Sequence, residues 1–289
     1  DHYKPEPIYD LVIRYFEAMQ KECGWGSSLL YFIGAQHNVH PTYVQNLLSD
    51  SRYGADEIVG AISYLSKANA SSYDGAVLEK ALKIDAPDSI VSGDASIANV
   101  FAQKEVLIIG NGGQLNRYQQ GLRSYIQQYN PIVLSININP AIDAGVSDVY
   151  VVSHNSKLLS QKKYYTDIQK PIILPKHRFT EEELQAINPN IVMHDYGLMV
   201  AEGTFLVEDS HATIPSELTA AYAIAIALAG NAKKISLVGF DGYEKNDQRQ
   251  QEMIGFLMAL HDKHQDANII ALTPTTYPIK KSSIYAPAC

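Results

Sequence analysis

Glu105-Val106-Leu107-Ile108-Ile109-Gly110-Asn111-Gly112-Gly113-Gln114-Leu115 is the stretch from which the fold reads outward. Val106 to Ile109 is an unbroken apolar run, as expected of a strand covered on both faces in a parallel sheet. Gly110-Asn111-Gly112-Gly113 follows at once, and a helical pattern runs from Leu115 to Tyr129. Strand, glycine turn and helix are how open α/β sheets bring backbone N–H groups up to a phosphate. Glycine suits such a turn because a Cβ holds the anion away from the amides. Two readings stay open, a nucleotide-type pocket and a tight βα turn without a ligand. The spacing is not G-x-G-x-x-G, because Leu115 stands at the third glycine position. Nothing here points to NAD.

Downstream, apolar runs of strand length recur at Ile132–Ile136, Val149–Val152, Ile172–Leu174, Ile191–Met193, Thr204–Val207, Ile235–Val238 and Ile269–Leu272. Helical patterns separate several of them: Glu181–Ile187, Ser216–Ala229 and Asp247–His264. The alternation predicts an α/β fold, a Rossmann-like, mostly parallel sheet with helices on both faces. The helix from Ser216 is apolar nearly all round and is expected at the centre, with a homo-oligomer interface as the lesser alternative. The terminal stretch from Pro274 reads as an extended tail covering a sheet edge.

Upstream lies a different composition. Apolar stripes at helical spacing mark Ile8–Gln20, Ser28–Ala35, a helix opening at Pro41, Ala55–Ser66, and a further helix capped by Asp74. No strand interrupts them, so residues 1–90 read as a helical module and residues 91–289 as the α/β domain, joined through the polar stretch Ala86–Ser96. His37 and His40 stand three apart in this module. Without a nearby carboxylate they make a poor metal set, and Pro41 points to a helix–turn–helix corner.

Composition narrows the function. The formal charge is −8 with no extended Lys/Arg cluster, which argues against nucleic acid as the main partner. No apolar run approaches the ~20 residues of a membrane span. Cys23 and Cys289 are too few for a disulfide framework or a zinc site. The polar opening carries no signal-peptide pattern, and the cytoplasm is the expected compartment.

In sheets of this kind ligands sit beyond the carboxyl ends of the strands. The candidate binding residues are therefore Gly110, Asn111, Gly112 and Gly113, then Asn137 and Asn139, Ser153 and Asn155, Lys176, and Tyr243. His154, His177 and His211 follow predicted strands and are candidate bases for an acceptor hydroxyl; hydrogen-bonded loop histidines are the plainer reading. Asp241 closes a strand, where a carboxylate accepts from a ribose hydroxyl, binds Mg²⁺, or simply caps a turn. Lys176 and Arg178 form a basic cluster suited to a diphosphate or carboxylate, and a solvated turn explains them equally well. His211, Asp241 and His154 are the catalytic candidates, and no metal ligand set is expected.

Two resemblances accompany this reading. WGSSLLYFIGAQHNVHPTYVQNLL, preceded by KPEPIYDLVIRYFEAM, resembles the helical segment after the catalytic barrel in relatives of HMG-CoA lyase and 4-hydroxy-2-oxovalerate aldolase, of the type found in surface-polysaccharide gene clusters. Over residues 4–84 it implies the C-terminal part of an aldolase without its TIM barrel, with the metal and the aldol chemistry in that barrel. IIGNGGQL, Asn137-Ile138-Asn139 and LVGFDGY are similar to bacterial sialyltransferases and to the 6-hydroxymethylpterin diphosphokinase-like family, over residues 104–272. That resemblance implies Gly110, Asn111 and Gly112 at a nucleotide and Asn137 and Asn139 near its sugar. The chain departs from the sialyltransferase pattern at Gly113-Gln114, where Pro-Ser is usual. Three functions follow as expectations: a nucleotide- or nucleotide-sugar-binding domain behind an aldolase barrel, a glycosyltransferase using a CMP- or NDP-sugar, or a non-catalytic assembly module.

Overall fold

The computed structural model describes residues 27–49, 53, 55–68, 70–82, 91–139, 142, 144–154, 157–158, 161–185, 187–245 and 247–286. The helix expected over Ile8–Gln20 lies outside them, as do Pro140 and Asn155. The chain divides into two compact units, 1–85 and 86–289.

The first unit packs α1 (Ser27–Gln36), α2 (Pro41–Ser49), α3 (Ala55–Lys67) and α4 (Gly75–Leu82). Leu30, Ile33, Val44, Leu47, Ile62 and Leu65 meet in one apolar cluster because each helix places them on one face. Asn38, at φ +53°, turns the corner between α1 and α2. His40 belongs to that corner, its Nδ1 accepting the Thr42 N–H at 3.3 Å. The Tyr43 hydroxyl, fully buried, donates towards the Ser72 and Asp74 carbonyls and accepts the Asp74 N–H at 2.8 Å. It thereby fixes the approach to α4, whose first turn Asp74 caps through Ala76 N–H at 2.9 Å.

The second unit is built on an eight-stranded sheet in which every pairing is parallel. Its strands are β1 (Glu105–Ile109), β2 (Ile132–Ile136), β3 (Val149–Val151), β4 (Ile172–Leu174), β5 (Met193–Asp195), β9 (Lys234–Val238), β10 (Ile269–Ala271) and β11 (Lys280–Lys281), in the order β11-β10-β9-β1-β2-β3-β4-β5. β6 (Gly197–Val200), β7 (Leu206–Val207) and β8 (His211–Ile214) form a second sheet in the order β6-β8-β7. Helices α5 (Gln119–Tyr129), α6 (Lys162–Tyr165), α7 (Glu181–Gln185), α8 (Thr219–Ala229) and α9 (Gln248–Lys263) complete the unit.

Alternation along the strands separates two layers. Val106, Ile108, Leu134, Ile136, Val151 and Leu237 face α8 and α9. Leu107, Ile109, Val133 and Val238 join Leu122 and Tyr125 of α5 on the opposite face. α8 is buried on all sides, its residues Ala221 to Ala227 fully covered, since it lies against β1 and β2 on one side and β7 and β8 on the other. Its alternating alanines permit that double contact.

Some boundaries move from expectation. The strand expected at Ile191–Met193 forms at Met193–Asp195, because Ile191 instead fills an apolar cluster with Tyr165 and Leu174 ahead of the sheet. The run at Thr204–Val207 supplies only the two-residue β7, which pairs antiparallel in the small sheet. β8 arises where turn chemistry was expected, and β6 in a stretch to which no element was assigned. The tail contributes β11, which covers the β10 edge through a two-residue parallel pairing.

Candidate functional site

The chain fills the sheet from β1 to β5 in one direction and then returns to β9 on the other side of β1. The topological switch point lies between β1 and β9, the place where open α/β sheets leave a crevice. Two glycine turns meet there, Gly110–Gly113 after β1 and Gly239–Gly242 after β9. Gly110 N–H donates to Val238 O at 2.8 Å and Gly112 N–H to Gly239 O at 2.9 Å. Gln114 N–H donates to Asp241 Oδ2 at 2.8 Å. A Cβ on Gly112 would lie 2.6 Å from the Asp241 carboxylate and 2.7 Å from Gly239 O, and one on Gly110 2.6 Å from Gly239 O.

These contacts change the meaning of the glycines. The turn is glycine-rich because it closes on a second turn and on a carboxylate of the chain itself, which takes the place expected for a phosphate. A further negative charge ~4 Å from Asp241 would meet repulsion of about 4 kcal/mol at an effective dielectric near 20. Asp241 Oδ1 is buried and has no hydrogen-bond partner among the described residues.

Beside this pair, Asn111 reaches across to the end of β2 and donates through Nδ2 to Ile136 O at 3.1 Å. Asn137 follows β2 in the left-handed region, at φ +54°, with its N–H on Val151 O at 2.9 Å. It is 4% exposed, and its Oδ1 has no partner among the described residues. A small hollow is lined by Asn111, Asn139, Ser135, Ser147, Tyr150 and neighbouring isoleucines. Ser135 and Ser147 hydroxyls are bonded to each other at 2.6 Å on its wall.

A third polar group stands at the ends of β3 and β4 and before α8. Ser153 Oγ contacts His154 Nδ1 at 2.9 Å and Thr219 Oγ1 at 2.7 Å, and Thr219 Oγ1 lies 3.1 Å from the same His154 nitrogen. On its other side, His154 Nε2 lies 4.0 Å from Glu217 Oε2. Glu217 Oε1 takes a 3.2 Å ion pair from Arg178 Nη1, with the two side chains 14% and 6% exposed. His154 is therefore a ring between hydroxyls and a carboxylate, and the carboxylate is fixed by a buried cation. Arg178 is consequently not free to hold a diphosphate. Neighbouring His177 has its pKa lowered, first by burial and then by the Arg178 charge.

From strand spacing, His154 at the end of β3 lies roughly 14 Å across the sheet from Asp241 at the end of β9. An extended nucleotide-sugar spans such a gap. His211 does not join either group. It opens β8 opposite Gly197, beside β5 at the far edge, with both ring nitrogens buried and unpartnered among the described residues. Lys176 is also at that side, its ammonium paired with Asp94 at 3.0 Å and its N–H on Asp195 Oδ1 at 2.9 Å.

Tyr243 stands at the rim beyond Asp241. The Arg249 guanidinium lies 4.0 Å from its ring centroid and is held by Asp247 at 2.7 and 3.0 Å. Gln250 Oε1 accepts Tyr243 N–H at 2.8 Å, and Gln250 Nε2 donates to Thr276 Oγ1 at 3.1 Å. Glu217, Thr219, Arg249, Gln250 and Thr276 were not singled out from the sequence. Glu217 falls in the first turn of the helix expected from Ser216, where an acid reads as dipole compensation. Its partner, His154, belongs to a distant strand.

No protein-family model matches the chain, and no curated protein matches it. Among solved structures, the sialyltransferase CstII from Campylobacter jejuni, in complex with the substrate analogue CMP-3FNeuAc, is similar at a TM-score of 0.37 and 14% identity, covering 65% of this chain and 89% of that one. A likeness of that size carries no inference about substrate. The aldolase-type resemblance has no counterpart in these comparisons. Among the described residues, no helix is long and apolar enough to cross a membrane.

Proposed function

We propose that the α/β unit binds a nucleotide or nucleotide-sugar across the carboxyl ends of β9, β1, β2 and β3 and acts as a glycosyltransferase-like enzyme. One observation carries this reading: two buried acceptors, Asn137 Oδ1 and Asp241 Oδ1, stand without donors around the switch point. A buried polar group left unpaired costs about 1–3 kcal/mol, a cost that a ligand bearing hydroxyl or amino donors recovers. Sugar rings and nucleobases carry such donors.

His154 is the base in this reading. It takes the proton of an acceptor hydroxyl while that oxygen bonds to the anomeric carbon and the bond to the departing phosphate oxygen breaks. Glu217 faces the imidazolium so formed, and Arg178 keeps Glu217 in place. Asn111 and Asn139 border the small hollow beside β2, and Tyr243 borders the outer rim. The aldolase-type likeness of the helical unit adds no step.

The test is a thermal-shift screen against CMP, CDP, UDP, GDP, ADP and ATP, with and without Mg²⁺, and then against the matching nucleotide-sugars. A ligand at a hundred times its Kd adds roughly 2.7 kcal/mol of stability. Selective stabilisation that survives His154→Ala, with transfer lost in that variant, is the expected outcome. A second reading, a ligandless assembly module, is favoured by the closure of the glycine turn on Asp241. Absence of any nucleotide response in the screen would select it.

A further inference from the structure

Resting on the nucleotide reading above, we infer that the paired turns after β1 and β9 receive a hydroxyl-bearing sugar ring through Asp241 and exclude the ligand's phosphates. The inference reverses the usual assignment of a glycine-rich βα turn.

Three observations converge on it. Three of the turn's amides are committed: Gly110 and Gly112 donate to Val238 O and Gly239 O, and Gln114 donates to Asp241 Oδ2. The committed acceptor is itself an anion, so a phosphate brought to this turn meets like charge where it needs donors. The remaining oxygen, Asp241 Oδ1, is buried and unpartnered among the described residues. A carboxylate only accepts hydrogen bonds, and so does a phosphate dianion; a sugar hydroxyl donates. The turn also has an open side. A Cβ built on Gly113 meets nothing within 4 Å, whereas one on Gly112 meets the carboxylate. A ring approaching over Gly113 therefore comes up beside Asp241 without displacing backbone.

The ring has two sources, the ribose of the nucleotide or the sugar to be transferred. Isothermal titration of the full chain separates them. The titrants are the four ribonucleosides, their monophosphates, the 2′,3′-dideoxy analogues, nucleotide-sugars and inorganic pyrophosphate, each against wild type and Asp241→Asn. If ribose is the ring, the dideoxy change weakens binding about tenfold in wild type and leaves Asp241→Asn unaffected. If the transferred sugar is the ring, the dideoxy change is silent and the advantage of nucleotide-sugar over nucleotide disappears in Asp241→Asn. In both cases pyrophosphate does not compete with the nucleoside. The dideoxy comparison in wild type keeps the test valid should Asp241→Asn fold poorly.

Three results overturn the inference while leaving the nucleotide reading intact: pyrophosphate competing with the nucleoside, Asp241→Asn gaining affinity for monophosphate over nucleoside, or nucleotide binding that needs both Mg²⁺ and Asp241. Failure of every nucleoside and nucleotide to bind wild type overturns the nucleotide reading itself.

Discussion

Replacing Arg178 by Met, Glu217 by Gln, and then both, measures how firmly the His154 group is held. Arg178 Nη1 and Glu217 Oε1 lie 3.2 Å apart with side chains only 6% and 14% exposed. Arg178→Met leaves the Glu217 carboxylate inside the protein with His154, at 4.0 Å, as its charge partner among the described residues. Breaking one side of a buried pair costs about 3–5 kcal/mol, because the stranded charge loses both its water and its counter-ion. Glu217→Gln strands the guanidinium in the same way. The double variant removes both charges, and its cost should fall to about 1 kcal/mol or below, as buried pairs replaced together are often neutral. The coupling energy from the cycle is then at least about 5 kcal/mol. In a unit of this size each kcal/mol moves Tm by roughly 2–4 °C, so each single variant should melt about 10 °C lower and the double variant near wild type. Urea denaturation followed by circular dichroism gives the four free energies. Additive single effects, each below about 1 kcal/mol, would show that water reaches the pair and that Glu217 does not anchor His154.

Three other outcomes are expected. Gly112→Ala sets a Cβ 2.6 Å from the Asp241 carboxylate and should destabilise the α/β unit by about 1–3 kcal/mol, read by the same denaturation; Gly113→Ala, which meets nothing, should stay within about 0.5 kcal/mol. Burial lowers the His177 pKa below its ordinary value of 6.5, so the unfolded chain binds the proton more readily and stability should decline as pH falls below about 6.5, with a slope of at most about 1.4 kcal/mol per pH unit. His177→Gln should flatten that part of the curve, and an unchanged slope would assign it to another group. Arg249 holds the Asp247 carboxyl below its ordinary value of 3.8, so this pair contributes stability above about pH 4 that is lost as pH falls through the lowered value. Asp247→Asn should therefore reduce stability at neutral pH and lose its difference from wild type in strong acid.

The parallel sheet was legible because β1, β2, β4 and β9 are short apolar runs, each followed by a turn residue or a glycine. Period and punctuation are local, and both survive in a single chain. The small sheet was not legible for the same reason. His211-Ala212-Thr213-Ile214 is fully buried as β8, yet its His and Thr read as loop chemistry beside Glu208, Asp209 and Ser210. The site divides in the same way. Asn111, Asn137, His154 and Asp241 were singled out because they end strands, and strand ends are visible in order along the sequence. What each touches was not: Gly112 is shaped by Asp241, and His154 by Glu217, through contacts between distant segments. A glycine signals that something approaches closely; it does not say whether that is a ligand or the chain itself.

The position of α8 between the two sheets makes it a rigid spacer in the folding and fluctuation of this unit. Its amides reach solvent only when one sheet separates from the other, so they should exchange with deuterium at the rate of whole-unit opening, more slowly than those of α5 or α9. Thr219, which touches Ser153 and His154, is the first residue of that spacer. Any displacement of β7 and β8 large enough to shift α8 along its axis is therefore delivered to the His154 imidazole.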